Sequence, residues 1–151
     1  MLLVTEKYLN EISFLRDMTS TEEHRKNITQ FLDDISEKIR SGLLVDRQKI
    51  IAFSSSEAAT NLVEYFLHKK NVVSMGFHLN HNYFASEQRA ERMLEFDFPK
   101  KKELVSLLVK QEELRNLLCY GKEKKGDKVE EAIATVQKIR EIVARELGEK
   151  L

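Results

Sequence analysis

One proline, Pro99, and five glycines are all that punctuate 151 residues. So few breakers leave long uninterrupted stretches, and those stretches carry apolar residues three and four apart, the period of an amphipathic helix. No alternating segment of useful length competes, and Leu43-Leu44-Val45 is too short to count as a strand. The expected fold is therefore all-α: one domain over residues 1–151, built as an up-and-down antiparallel bundle of about six helices joined by short connections.

The pattern places a first helix at about 2–17, with Tyr8, Leu9, Ile12 and Leu15 on one face. Ser20 followed by Glu23 reads as a capping box for a second helix running to about Arg40. Its stripe is Ile28, Phe31, Leu32, Ile35 and Ile39, and Gly42 is placed to end it in a left-handed conformation. Asp46 is the expected cap of a third helix, about 47–69, with Ile50, Ile51, Ala58, Leu62, Phe66 and Leu67 inward. Ser54-Ser55-Ser56 within it permits close helix approach. A long irregular stretch, 70–83, precedes a short helix at about 84–95. The fifth helix is expected from Asp97, with Pro99 in its first turn, to Tyr120. The sixth, about 128–147, is expected to be capped by Asp127 with Glu130.

The 25 basic and 25 acidic residues cancel, so any nucleic-acid or phosphate contact must come from a local patch. No run of about 18 apolar residues reads as a membrane span, and the N-terminal residues lack the pattern of a signal peptide. A single cysteine, Cys119, fits a reducing, cytoplasmic setting.

Few residues carry chemistry by themselves. His78 and His81, with Asn80 and Asn82, are two histidines where a zinc site needs three or four ligands, so loop packing is the expectation and no metal or cofactor is assigned. Cys119 lies near a helix C-terminus, where the dipole disfavours a thiolate. There is no phosphate-cradling glycine loop and no nucleophile elbow. Lys100-Lys101-Lys102 and the run from Lys122 to Lys125 can hold phosphates or simply solvate helix ends. The most informative segment is Gln111 to Gly121. Leu104, Leu107, Leu108, Gln111, Leu114, Arg115 and Leu118 trace one helix face, in which a glutamine and an arginine are out of place. Arg115 can grip a carboxylate or phosphate through two N–H groups, or pair with Glu112 or Glu141. Asn116 offers a donor and an acceptor, and Tyr120 lies little more than a turn onward.

Arg115-Asn116, three further residues and then Tyr120 resemble the motif of the HEPN superfamily of small helical proteins, in which a histidine stands where this chain has Tyr120. Ser56-Glu57-Ala58-Ala59 in a middle helix, a loop, a short helix, the motif helix and a closing helix extend the likeness over about 45–145. The resemblance implies a homodimeric bundle with motif helices facing each other. It implies binding of RNA or a nucleotide by Arg115, Asn116, Tyr120, Gln111 and Lys122, with Arg115 and Tyr120 in the catalytic positions of a metal-independent endoribonuclease. It also implies a possible nucleotidyltransferase partner in a toxin–antitoxin module. Tyrosine, with an ordinary pKa near ~10, is a poor general base at neutral pH, so weak or no cleavage is expected.

Overall fold

The computed structural model describes residues 20–151. The helix expected at 2–17 lies outside the described residues. Within them are five α-helices, α1 (Thr21–Arg40), α2 (Gln48–Lys69), α3 (Glu87–Met93), α4 (Lys101–Cys119) and α5 (Gly126–Leu147), a 3₁₀ segment at His81–Ala85, and no strand. No helix among them is long and apolar enough to cross a membrane.

α1 begins as its sequence directs. The Ser20 hydroxyl accepts from the Glu23 amide at 3.2 Å while the Glu23 carboxylate accepts from the Ser20 amide at 3.1 Å, which satisfies two of the donors a helix start leaves open. Ile28, Leu32 and Ile35 are buried and Phe31 packs beside them. Ile39, last of the stripe, is exposed, and Gly42 has the expected positive φ of 67°.

α2 is the centre of the molecule. It packs against α1, α4 and α5, so it is buried almost all round, as its weakly amphipathic sequence requires. The three serines are buried, and the Ser54 hydroxyl donates to Asp34 of α1 at 2.9 Å. Two expectations fail at its start. Asp46 does not cap it; Arg47 occupies the cap position without a side-chain hydrogen bond. Gln48 instead accepts from the Lys124 amide at 2.8 Å and donates to the Lys124 carbonyl at 3.0 Å, clamping the α4–α5 turn to the helix start. Ile50 faces solvent, because only Ile51 of that pair reaches the small core cluster of Ala52, Leu114, Leu118, Val129 and Ala132.

The helix expected over 84–95 is two pieces. Ser86 is extended and its hydroxyl caps α3 by accepting from the Arg89 amide at 3.1 Å, which ends the 3₁₀ segment before it. Pro99 precedes α4 rather than sitting in its first turn, because Lys100 takes a left-handed φ of 63° and the helix starts only at Lys101. Asp127 does not cap α5 either. That helix already begins at Gly126, and Asp127 lies in its first turn, where its charge complements the dipole.

Candidate functional site

α4 turns two chemically different faces to its neighbours. Leu104, Leu108, Leu114 and Leu118 enter the core. Gln111 goes with them: it is 2% exposed and its amide donates to the Ala132 carbonyl of α5 at 3.2 Å. Gln111 therefore lies inside the bundle and lines no open groove, contrary to expectation. Glu112, Arg115, Asn116 and Cys119, spaced by three and four, occupy the other flank, near α2.

That flank meets a residue from the loop. The Asn80 side chain accepts from the Asn82 amide at 2.9 Å and its carbonyl accepts from the Tyr83 amide at 2.9 Å, forming the tight turn that opens the 3₁₀ segment. The turn projects His81 between α2 and α4. Its Nε2 lies 2.8 Å from Glu57 Oε1 and its Nδ1 lies 3.1 Å from Glu112 Oε2 and 3.3 Å from the Ser56 hydroxyl. Glu112 Oε1 accepts from Arg115 at 3.1 Å. A guanidinium, a carboxylate, an imidazole and a second carboxylate thus stand in line across three elements.

With a carboxylate against each nitrogen, His81 is held as imidazolium. Hydrogen bonds to Glu112 and then Glu57 raise its pKa from 6.5 to about 9 against the opposing effect of burial. Burial opposes the Glu112 charge, but His81 and Arg115 outweigh it and lower its pKa. The Arg115 side chain is 21% exposed and its Nε is buried without a partner. Arg115 thus makes the expected ion pair with Glu112, and its side chain stays partly open to solvent.

The remaining expected site residues are scattered. Asn116 and Lys122 are exposed, and Lys124 donates to the Lys122 carbonyl at 2.8 Å. Tyr120, 63% exposed at the end of α4, makes no hydrogen bond to Arg115. Cys119 is half-buried, with Sγ 3.5 Å from the Lys49 carbonyl and its pKa raised by burial, which suits packing and not nucleophilic attack. Reasoning from sequence misses His81, Glu57 and Glu112 as a unit. Glu57 in the middle helix and His81 in the long loop are each visible there, but nothing in spacing alone joins them. Comparison of the chain with known proteins finds no matching family model, no matching curated protein and no matching solved structure.

Proposed function

We propose that this chain is a HEPN-like helical module that binds RNA or a nucleotide through its phosphate, with weak or no ribonuclease activity. One observation carries this reading: Arg115 and His81, two cations from different elements, share the single carboxylate of Glu112. Cations spaced to grip one oxyanion are spaced to grip another, and phosphate offers more acceptor oxygens than carboxylate. His81 supplies the imidazole that Tyr120 does not. Held protonated at neutral pH, it can donate a proton to a departing 5′ oxygen while Arg115 offsets charge on the phosphate. The bases beside it, Glu57 and Glu112, are carboxylates already engaged with cations, which keeps cleavage slow.

The test is binding and cleavage of a mixed RNA pool in EDTA by the full chain, beside Arg115→Ala and His81→Gln. Arg115→Ala is expected to lose binding, and His81→Gln to weaken it and remove residual cleavage, both with unchanged helix content. Unchanged binding by the two folded variants overturns the reading.

A second reading is an interaction module that partners a nucleotidyltransferase in a toxin–antitoxin pair. It is favoured by the large apolar side chains Ile50, Phe53, Leu117 and Tyr120, all exposed around the same end of α2 and α4. On either reading the module is a cytoplasmic homodimer with an up-and-down arrangement of about six helices. The meeting of early α1 with late α2, His24 with Asn61, and of late α1 with early α2, Asp34 with Ser54, supports that topology.

A further inference from the structure

Phe53 stands open on α2, and the pairing of α2 with α4 places it beside the Arg115 cluster. His81 Nδ1 lies 3.1 Å from Glu112 of α4 and 3.3 Å from the Ser56 hydroxyl of α2, so those two residues meet at one height. Two turns on, Cys119 Sγ of α4 lies 3.5 Å from the Lys49 carbonyl of α2, the oxygen to which the Phe53 amide donates in an α-helix. The two helices run antiparallel between these contacts, seven residues on each. Arg115 is three residues from Glu112 and four from Cys119, and Phe53 is three from Ser56 and four from Lys49. Residues so spaced share one helix face. Phe53 and Arg115 therefore stand at the same height, one on each helix.

The Phe53 side chain is not part of the core. The residue is 46% exposed, and Phe31 of α1 braces it, the two rings meeting edge-on at 6.2 Å and 79°. A lone exposed phenylalanine is ordinary. Its company is not. His81 lies one turn above it, Arg115 across from it, and exposed Lys49 one turn below. Burial raises the Cys119 pKa while the charges of both Arg115 and Lys49 pull it the other way, so the two cations flank this thiol. The nearby carboxylates are all engaged: Glu112 with Arg115 and His81, Glu57 with His81, and Asp34 with Lys38.

An aromatic ring among cations matches one kind of ligand. Single-stranded nucleic acid presents phosphates for the cations and a base face for the ring. An apolar protein surface would cover the ring but leave the cations beside it without new partners. A base inside a duplex is stacked on both faces and offers neither to a side chain.

We propose that Phe53 is the base-stacking residue of this site and that the ligand is single-stranded RNA, with an unpaired base on Phe53, one phosphate at Arg115 and His81, and the next at Lys49. This inference rests on the phosphate reading of Arg115 and His81 and adds the class of strand they receive.

The test measures fluorescence anisotropy of three labelled probes with the full chain in EDTA: a short mixed-sequence single-stranded RNA, the same RNA annealed to its complement, and an abasic ribose-phosphate oligomer of equal length. Wild type is expected to bind the single strand roughly tenfold or more tighter than either other probe. Phe53→Ala is expected to lose roughly tenfold or more on the single strand and to leave the abasic oligomer unaffected. Phe53→Trp is expected to rescue binding. Its indole emission, in a chain with no tryptophan of its own, should be quenched by the RNA and not by the abasic oligomer. Equal losses on the RNA and the abasic oligomer make Phe53 a structural residue and overturn the proposal, as does a duplex bound as tightly as the single strand. Unchanged RNA binding in Phe53→Ala beside its loss in Arg115→Ala overturns the proposal and leaves the phosphate site standing. No binding of any probe by wild type removes both. A wild-type dimer that Phe53→Ala converts to a monomer, with RNA affinity unchanged, assigns the ring to a protein interface instead.

Discussion

The His81 imidazolium makes a stability contribution whose size and sign can be worked out. Free histidine titrates near 6.5, and in the folded chain Glu112 and Glu57 move the value to about 9. A tenfold change in proton affinity is worth about 1.4 kcal/mol, so the full difference is about 3 kcal/mol. The His81 side chain is 28% exposed, and solvent screening reduces the figure toward about 2 kcal/mol. Because the folded pKa lies above the unfolded one, folding takes up a proton between the two values. The contribution is complete below pH 6.5 and disappears as pH rises through about 9. Urea unfolding of wild type and His81→Gln across pH ~6 to ~9.5 measures it. The wild type is expected to lose about 2–3 kcal/mol relative to the variant over that range. The comparison cancels groups common to both proteins, including Cys119, whose pKa burial raises. The imidazole resonances of His81 supply the second readout. Titration near 6.5, with parallel stability curves for the two proteins, would falsify the arrangement of Glu57, His81 and Glu112.

On the acid side the sign reverses for His24 and His68, whose pKa values burial lowers. Their contribution is present above pH 6.5 and is lost as pH falls through their folded values, so His24→Gln should flatten the acid limb of the stability curve; an unchanged limb would rule out a neutral buried His24. Glu64, raised first by burial, acts oppositely, and its share is lost as pH rises from 4.5 through its folded value. Gln48→Ala should cost about 1–3 kcal/mol, because it strips partners from the Lys124 amide and carbonyl. A change below about 0.5 kcal/mol in denaturant unfolding would mean water replaces both bonds without loss.

Chemistry is legible in the sequence where it is local. The capping box at Ser20 and Glu23 and the left-handed Gly42 involve residues within a turn of each other, and spacing alone determines them. The starts of α2 and α5 differ from expectation because their apparent caps, Asp46 and Asp127, compete with tertiary contacts. Gln48 binds a turn 76 residues away, and Gly126 lies against Val45. Ile50 and Ile51 are equally apolar, and only the position of α4 and α5 decides which is buried. Arg115 with Glu112 is readable as a pair three apart on one helix. His81 is not, since its partners lie 24 and 31 residues away.

A relation between α2 and the loop is nonetheless written in the sequence. Glu57 and Glu64 are the only acidic residues of α2. Seven residues apart, they fall on nearly one face, about 10 Å along the axis at ~1.5 Å per residue. His78 and His81 are three apart, and an extended chain at about 3.3 Å per residue spans the same ~10 Å. The chain at Asn80 is extended, and His81 meets Glu57 while His78 meets Glu64. The matched spacings let one short segment place a histidine on each carboxylate, and the Leu79 amide on Glu64 fixes the register between them. Slipping the loop by one residue would take His81 from Glu57 and both His78 and the Leu79 amide from Glu64, leaving the buried Glu64 with only His24 beside it. Glu64 is buried and Glu57 partly open, and that difference in exposure, rather than any difference in residue type, separates the two pairs. The inner carboxylate lies against His24, whose pKa burial lowers, and the outer pair holds an imidazolium suited to meeting an anion.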